Sequence, residues 1–316
     1  MSDRRVRTSG RRARRLGPGL SVVLTMGLAV GLAACVDGPD ALVVGSKNFS
    51  EQDILGELVA QWIERTTDIP VERRLHLGGT FVCHRAITNG ELDLYVEYTG
   101  TAWVAILEQP VQSEPRRVYD ATRAAYEERF DLTLTSPLGF ENTFAILVRR
   151  ATADSLGIAT LSEAAPYIPD WVPGFGYEFT EREDGWTGLV ATYGFESATV
   201  PKEMDLGLTY RALADGEVDI IAGNSTDGLI AALDLVMLDD DRHYFPPYEA
   251  VPVVRAEALR RHPELAAVLE RLAGRIDTED MRALNRAVDV DRRDFVQVVR
   301  EWVEGACQEP GSECLR

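Results

Sequence analysis

The fold of this 316-residue chain is decided by the stretch GELDLYVEYTG at residues 90–100. It predicts a buried strand that ends on a carboxylate, an aromatic ring and a hydroxyl at residues 97–99. The stretch GEVDIIAGNST at residues 216–226 has nearly the same form. Each stretch follows a similar helix end at a constant offset, HRAITN at residues 84–89 and YRALAD at residues 210–215. Either helix-capping chemistry is reused by chance, or one α/β unit occurs twice, once in each of two similar lobes; we favour the second interpretation.

The residues before residue 90 alternate between strand and helix patterns. Residues 41–45 and 71–75 have the apolar character of buried strands. Between them, helical spacing of apolar residues begins after Ser50, which we predict as the N-cap. A second helix is predicted at residues 82–88, before the strand that ends at Tyr98. This β-α-β-α-β order is typical of an α/β domain with parallel strands.

The ends of the two similar strands predict where a ligand binds. In open parallel α/β sheets, ligands bind beyond the carboxyl ends of the strands. Tyr98 stands at this end in the first copy, and Asn224 stands at the same place in the second. If the two lobes face each other, these side chains lie on opposite walls of a cleft.

The N-terminal segment has the pattern of an export signal. It carries seven arginines and one acid, followed by an apolar run at residues 20–34. We predict a signal peptide at residues 1–34, with an uncleaved N-terminal anchor as the alternative and the export route left open. The sequence LAAC at residues 32–35 resembles the bacterial lipobox. It implies that Cys35 is lipidated, that residues 35–40 form a linker, and that the chain is held at the extracytoplasmic face of the cell membrane.

Composition and charge exclude several classes of partner. The chain is 45% hydrophobic and 27% charged, which are ordinary values for a globular protein. Its formal net charge is −18, and without residues 1–34 it becomes −24, because that segment carries seven arginines and one aspartate. Such an acidic chain argues against nucleic acid and anionic lipid as main partners. No later segment resembles a membrane helix, so transport would require other chains.

The histidines and the remaining cysteines give no sign of a metal or a cofactor, and we expect neither. The four histidines lack metal-ligand spacing with cysteines or acids. Cys307 and Cys314 either form a small disulfide loop, which suits an exported protein, or are two free thiols near the C-terminus. We interpret Cys83 as a buried structural thiol.

Six regions of the chain carry long motifs in a defined order. They are GSKNFSEQDILGEL at 45–58, LGGT at 77–80 with GELDLYVEYTGT at 90–101, LGFENTFAI at 138–146, DGWTGL at 184–189, GNSTDG at 223–228 and DDRHYFPPY at 240–248. Together they resemble the substrate-binding proteins of osmoprotectant ABC importers, which bind glycine betaine, choline and carnitine. The resemblance covers residues 42 to about 300.

The resemblance implies an α/β fold of the type II periplasmic-binding-protein class, with a ligand cleft between two lobes that close by hinge bending. The two crossing segments are expected near residues 144–149 and 248–254. Lobe one then consists of residues 41–147 plus 250–316, and lobe two consists of residues 148–249.

The resemblance also implies a ligand site. A trimethylammonium group donates no hydrogen bond, so aromatic faces hold it by cation–π attraction. Relatives use a cage of tyrosines, and the matching positions here are Tyr98, Phe144, Asn224 and Tyr248. Thr101 and Asn142 match neighbouring polar contacts, and the position of Phe81 also faces the ligand in relatives. Trp186 is expected as a replacement ring, and Ser225 and Thr226 are expected to contact a more polar ligand.

Two of these positions depart from the family pattern. Phe144 stands where Tyr is common, which keeps the ring and loses a hydroxyl. Asn224 stands where many relatives place a Tyr, so one ring is missing. Either Phe81 and Trp186 replace that wall, although Trp186 suits lobe packing equally well, or the pocket takes a more polar ligand. In the second case Asn224 and the two hydroxyls after it would bind a carboxylate or an amide.

Several of the polar and aromatic residues also have a structural interpretation. Tyr98 and Tyr248 could be core aromatics with satisfied hydroxyls. We interpret Glu97 and Asp227 as helix caps and ion-pair partners. The other end of the ligand, or the opposite lobe, would be bound by two residues of one loop, Lys47 and Asn48.

We therefore predict an extracytoplasmic lipoprotein that binds a quaternary-ammonium osmolyte, such as glycine betaine or choline. It would deliver this small molecule to an ABC importer whose permease and ATPase are separate chains. The alternatives are the same binding module for a more polar amine or amino-acid-like ligand, and a sensor that binds without transport. No enzyme is expected, because the sequence has no G-x-S-x-G motif and no metal set.

Overall fold

The computed structural model describes residues 41–194, 200–308 and 314. The strands are β1 (Leu42–Lys47), β2 (Val71–Gly78), β3 (Leu94–Tyr98), β4 (Leu132–Leu134), β5 (Phe144–Arg149), β6 (Pro173–Gly176), β7 (Lys202–Met204), β8 (Ile220–Asn224), β9 (Leu235–Met237) and β10 (Ala250–Arg255).

The helices are α1 (Ser50–Thr66), α2 (Thr80–Thr88), α3 (Thr99–Thr101), α4 (Pro115–Phe130), α5 (Arg150–Leu156), α6 (Leu161–Ala164), α7 (Tyr177–Glu181), α8 (Trp186–Tyr193), α9 (Leu206–Ala214), α10 (Leu229–Ala232), α11 (Ala256–Arg261), α12 (Leu265–Glu270), α13 (Thr278–Asp289) and α14 (Phe295–Ala306). A π-helical turn, Ala102–Ile106, extends α3, and a 3₁₀ turn spans Ile168–Asp170.

The strands form two five-stranded mixed sheets of the same design. The first has the order β2-β1-β3-β10-β4, and the second has the order β7-β6-β8-β5-β9. In each sheet three neighbouring strands are parallel, and the fourth strand runs antiparallel to the third. This is the α/β architecture that the sequence predicts.

The unit that the sequence repeats is the same in both sheets. Helix α2 and strand β3 in the first copy have the same lengths and spacing as helix α9 and strand β8 in the second. The chain leaves each helix through a glycine with positive φ, 80° at Gly90 and 77° at Gly216, a conformation that glycine adopts without steric cost. The prediction that one α/β unit occurs twice is confirmed.

An aspartate fixes the start of each repeated strand. Asp93 Oδ2 accepts a hydrogen bond of 3.0 Å from the N–H of Val43, in the neighbouring strand β1. Asp219 Oδ2 accepts the equivalent bond of 3.0 Å from the N–H of Val172. The aspartate of each G-E-x-D stretch thus accepts a hydrogen bond from a backbone N–H at the neighbouring strand in the sheet. This bond links the repeated strand to its neighbour.

Each sheet has its own hydrophobic core. Helix α1 packs against the first sheet together with α12, α13 and α14. Its Trp62 is fully buried and donates a hydrogen bond of 3.0 Å to the carbonyl oxygen of Val268. Burying one large apolar side chain contributes about 1.5–3 kcal/mol, so this cluster holds the C-terminal helices on the sheet. The second core surrounds Phe175 on β6.

The predicted cap of α1 is wrong by one residue. Phe49 occupies the N-cap position and makes no side-chain capping bond. Ser50 lies inside the helix, and its hydroxyl donates 2.6 Å to Asp289 Oδ1 at the end of α13. The local sequence predicts that the Ser50 hydroxyl caps the helix, but in the fold this hydroxyl makes a long-range hydrogen bond instead.

The chain passes between the two sheets twice, at neighbouring places. Glu141 and Glu249 form an antiparallel bridge, and the N–H of Asn142 donates 3.0 Å to the carbonyl oxygen of Tyr248. From Phe144 onward the chain already belongs to the second sheet, whereas β10 belongs to the first. The first crossing thus lies just before the residues expected for it, 144–149, and the second lies at the start of its expected range, 248–254.

The cysteines within the described ranges have clear roles. Cys307 and Cys314 form a disulfide with a Cα–Cα distance of 5.6 Å. Cys83 is a buried free thiol, as predicted, and burial raises its pKa to about 12. Within residues 41–194 and 200–308, no helix is long and apolar enough to cross a membrane. The predicted signal peptide, Cys35 and the linker at residues 35–40 lie outside the described residues.

Candidate ligand-binding site

A cavity of about 240 Å³ lies where the carboxyl ends of parallel strands from both sheets meet. Lys47 ends β1, Tyr98 ends β3, Gly176 ends β6 and Asn224 ends β8, and all four line it. This is the position at which open α/β sheets bind ligands. The residues with predicted ligand contacts that line the cavity are Tyr98, Thr101, Asn142, Phe144, Asn224 and Tyr248.

Aromatic rings form one wall of the cavity. The ring of Phe144 lies 5.7 Å from Tyr248 and 4.8 Å from Phe179, both close to edge-to-face. Tyr98 and Tyr248 are almost fully buried, and their hydroxyls donate to Glu51 and Asp184, each at 2.6 Å. Their hydroxyls are therefore satisfied inside the protein while both residues line the cavity.

Arg182 brings a buried positive charge to the same wall. Its guanidinium carbon lies 5.2 Å from the centre of the Phe144 ring. Nε donates 2.8 Å to Asp184 Oδ1, and one terminal nitrogen donates 3.2 Å to Thr101 Oγ1. Burial disfavours the charged guanidinium, but Asp184 more than offsets this, so the pKa of Arg182 lies above its ordinary value. The cation stays charged and reaches both sheets.

Lys47 supplies a second buried cation. Its Nζ pairs with Glu97, whose side chain is fully buried, and lies 5.2 Å from the centre of the Tyr98 ring. The carboxylate at the end of the opening stretch therefore serves as an ion-pair partner, as the structural interpretation of Glu97 predicts. Lys47 and Arg182 both line the cavity, each with its own carboxylate behind it.

A buried carboxylate, Glu51 of α1, lies behind the aromatic wall and pairs with no cation among residues 41–194 and 200–308. It accepts from Tyr98 Oη at 2.6 Å, from Asn142 Nδ2 at 2.8 Å and from Asn285 Nδ2 at 2.7 Å. The Thr226 hydroxyl also donates to it. Burial raises the pKa of Glu51, and these hydrogen bonds oppose the rise. The network joins elements of both sheets behind the cavity.

Asn224 is held from behind in a similar way. Its Nδ2 donates 3.4 Å to Asp227 Oδ2, which also accepts from the Tyr210 hydroxyl. The backbone N–H of Asn224 donates 3.0 Å to the Tyr210 oxygen. Burial raises the pKa of Asp227 from 3.8 to about 7. Asp227 thus shapes the cavity wall without lining the cavity.

Four residues with expected ligand contacts lie outside the cavity lining. Phe81 is 46% exposed because it follows Thr80, whose side chain occupies the inward face of the first turn of α2. Trp186 packs against Phe175 in the core of the second sheet, with ring centres 4.8 Å apart. These two rings therefore do not replace the wall that Asn224 leaves open.

The hydroxyls after Asn224 are also engaged elsewhere. Ser225 Oγ accepts 3.1 Å from the N–H of Thr143, and Thr226 is fully buried on Glu51. Neither residue lines the cavity in this structure, and the hypothesis that their hydroxyls hold a ligand carboxylate or amide stays a prediction. The wall is completed instead by Phe179, by Arg182 and by neighbouring residues that the sequence did not single out, Tyr177, Glu178, Asp205 and Leu206.

Two glycines allow the close approaches around the cavity. A side chain at Gly100 would meet the carbonyl oxygen of Pro247 at 2.6 Å. A side chain at Gly79 would clash with Glu178 Oε1. That carboxylate accepts 2.6 Å from the N–H of Thr80 and 3.1 Å from its hydroxyl. The start of α2 and the start of α7, which belong to different sheets, are therefore in direct contact at the cavity.

Comparisons with known proteins agree with this architecture. Residues 40–305 match the family described as the substrate binding domain of ABC-type glycine betaine transport system. The chain is 33% identical to the carnitine transport binding protein OpuCC of Listeria monocytogenes (strain 10403S), over 84% of this chain and 86% of that protein. It is 35% identical to the ergothioneine transport permease/ergothioneine binding protein EgtU of Helicobacter pylori (strain G27), over 83% of this chain. It spans only 47% of that relative's length.

A solved structure is similar over the same region. The crystal structure of a glycine betaine/carnitine/choline ABC transporter protein superposes with a TM-score of 0.69 and 33% identity, covering 84% of this chain and 98% of the other. The paired mixed sheets, the cavity at their strand ends and the match over residues 40–305 agree with one another. The chain belongs to the family of substrate-binding domains of ABC-type glycine betaine transport systems and has its type II periplasmic-binding-protein fold.

Proposed function

We propose that this chain is the lipid-anchored receptor of an ABC importer, and that its ligand is a small quaternary-ammonium compound. It would be held by Cys35 at the extracytoplasmic face of the membrane and would deliver its ligand to a separate permease and ATPase. The division into lobe one, residues 41–147 plus 250–316, and lobe two, residues 148–249, belongs to this proposal. The two lobes would close on the ligand by hinge bending.

The observation that carries the proposal is the aromatic wall beside an uncompensated acid. Tyr98, Phe144 and Tyr248 line one cavity, and Glu51 lies behind Tyr98 with no cation paired to it in the part of the chain that the structure describes. A quaternary ammonium ion is attracted to aromatic faces by about 0.5–2 kcal/mol per ring. Because its methyl groups shed water easily, such a cation suits a buried apolar cavity better than a primary ammonium, which needs three hydrogen-bond acceptors.

The opposite end of the ligand would be bound by cations. Arg182 and Lys47 line the cavity, and Arg182 donates a hydrogen bond to Thr101, which lines it as well. A guanidinium and a hydroxyl together suit a carboxylate, because charge-assisted hydrogen bonds to carboxylates are short and strong. We therefore favour a betaine with a carboxylate over choline. This assignment gives Lys47 the ligand-binding role that the sequence left open.

Titration calorimetry on the purified exported protein tests the function directly. Glycine betaine, carnitine, choline and ergothioneine form the panel, with proline as a carboxylate that lacks the trimethylammonium group. We expect binding of at least one quaternary ammonium and none of proline. No heat from any quaternary ammonium would refute the proposal.

A matched pair of variants tests the site. Tyr98→Leu removes a ring that lines the cavity and should abolish binding. Tyr95→Leu removes an equally buried ring from the same strand, on the other face of the sheet. It should lower stability while binding persists. Equal loss in both variants, with both folded by circular dichroism, would place the site elsewhere.

Two cell experiments test the anchor and the transport role. Cys35→Ser should move the protein from the membrane fraction to the soluble fraction, and it should remove labelling by a radioactive fatty acid. Deletion of the gene should abolish uptake of the labelled ligand. Normal uptake in the deletion strain, combined with binding in vitro, would favour a sensor over a transport receptor.

A further inference from the structure

Two amide side chains line the cavity, and each has its NH₂ group turned away to a carboxylate behind the wall. Asn142, in the first crossing segment, donates 2.8 Å from Nδ2 to Glu51 Oε1. Asn224, at the end of β8, donates 3.4 Å from Nδ2 to Asp227 Oδ2. Both asparagines line the cavity.

The surroundings fix the orientation of the Asn142 amide. The other groups that bind Glu51 are donors, namely the Tyr98 and Thr226 hydroxyls and the Asn285 NH₂. If Asn142 were turned around, its oxygen would face a carboxylate oxygen. In the observed orientation Asn142 Oδ1 is buried and accepts no hydrogen bond from any residue in the described ranges. A buried acceptor without a partner is unfavourable and needs a donor from elsewhere.

The same logic holds for Asn224. Asp227 Oδ2 accepts from the Tyr210 hydroxyl and lies 3.4 Å from the backbone nitrogen of Asn224 itself. Turning the amide would place two acceptor oxygens together. The arrangement therefore leaves the oxygen of Asn224, rather than its NH₂, for a molecule in the cavity. This is the reverse of the sequence-based idea that Asn224 donates to a ligand carboxylate.

The two side-chain oxygens are hydrogen-bond acceptors, so the molecule that fills the cavity is expected to carry a hydrogen-bond donor besides its cationic group. Glycine betaine has methyl groups and a carboxylate but no N–H or O–H donor. We propose that the site is selective for quaternary-ammonium ligands that also carry a hydrogen-bond donor, either a hydroxyl or the N–H of a heterocycle, which Asn142 and Asn224 bind through their oxygens. This inference rests on the proposed function and narrows its ligand class.

Two pairs of compounds that differ in one donor test the proposal. L-Carnitine and γ-butyrobetaine differ only in a hydroxyl. Trimethylhistidine and its ring-N-methylated form differ in the ring N–H. In calorimetry, at least one donor-bearing member should bind tenfold or more tightly than its partner. Equal affinities within both pairs would overturn the proposal and leave the proposed function standing. No binding of any of the four, together with binding of glycine betaine or choline, would also overturn this proposal alone, and the proposed function fails only if these two do not bind either.

A variant pair assigns the preference to the cavity amides. Asn224→Leu keeps the side-chain size and removes the acceptor, so the ratio of affinities within the responsive pair should fall to near one. Asn285→Leu is the control, because Asn285 also donates to Glu51 but does not line the cavity. The ratio should persist in that variant. A ratio that is lost in both variants, or kept in both, would refute the role of the Asn224 oxygen.

Discussion

Replacing Asp227 by asparagine should stabilise the protein, and it should do so more at pH 8 than at pH 5. Asp227 follows β8, and no basic residue of the described ranges is bonded to it. Tyr210 of α9 faces it, and the charges of Glu51 and Asp289 raise its pKa further. Arg150, Arg282 and Arg286 line the surface cavity on its outer side. Burial is the largest cause that raises the pKa of Asp227 to about 7.

The sign of the effect follows from the direction of the pKa change. The folded chain binds the proton of Asp227 more tightly than the unfolded chain does. The carboxylate therefore costs no stability below pH 3.8, and its cost grows as the pH rises to about 7 and is constant above that. At about 1.4 kcal/mol for each pH unit, the full cost is about 4 kcal/mol. Since part of the side chain reaches the surface cavity, where water screens the charge, we expect a gain of about 2 kcal/mol at pH 8.

Asparagine can keep the hydrogen bonds at this position. The Tyr210 hydroxyl and the two nitrogens of Asn224 all approach the same oxygen, Oδ2. The amide oxygen of the variant can take that place, and its NH₂ can take the place of Oδ1. The substitution therefore removes the charge with little change of shape.

Thermal unfolding followed by circular dichroism measures the effect. For a chain of this size, about 2 kcal/mol corresponds to a rise in Tm of about 3–4 °C. Asp241→Asn is the control, because the side-chain hydrogen bond from Ser162 lowers the pKa of that exposed acid and its removal cannot stabilise the protein at high pH. A gain in Asp227→Asn that is the same at pH 5 and pH 8, or a loss at pH 8, would refute the reasoning.

Three further substitutions probe the cavity and its charges. Phe144→Leu removes a ring that lies under Arg182 and lines the cavity, so affinity for a quaternary ammonium should fall about 2–30-fold, as calorimetry would show. Arg182→Lys keeps the charge but loses the planar contact with Phe144, so betaines with a carboxylate should lose about tenfold in affinity while choline loses less. Lys47→Met leaves Glu97 buried and unpaired, which should lower the free energy of unfolding by about 3–5 kcal/mol in urea denaturation.

The repeated α/β unit could be predicted because its signals are local. Gly90 follows the end of a helix, Asp93 binds the backbone of the neighbouring strand β1, and Tyr98 ends strand β3, all within a dozen residues. Strand ends collect at one edge of a parallel sheet, so the position of Tyr98 and Asn224 at the cavity follows from the fold class alone.

The errors arose where distant parts of the chain compete for the same group. Thr226 follows Asn224 directly, and the sequence offers its hydroxyl to the ligand. In the folded chain that hydroxyl donates a hydrogen bond to Glu51 of α1, which lies 175 residues earlier in the sequence. In the same way, the Ser50 hydroxyl donates to Asp289 and does not cap the helix. The sequence did not indicate Arg182 as a site residue because this arginine lies in an irregular segment. No helix or strand periodicity shows there which way a side chain points.

The acids behind the cavity favour a ligand that carries a cationic group over one that carries none. Lys47 and Arg182 are each paired with a buried carboxylate, so neither leaves a net charge of its own. Within the described residues, Glu51 and Asp227 are bonded to neutral donors alone. Burial without a cation raises the pKa of both acids, which means that each carboxylate is unfavourable where it stands. A quaternary ammonium in the cavity would stabilise both through space, since Coulomb attraction is strong where water is excluded. The bound cation would therefore lower the pKa of both acids, which hold Tyr98, Asn142 and Asn224 of the cavity wall in place.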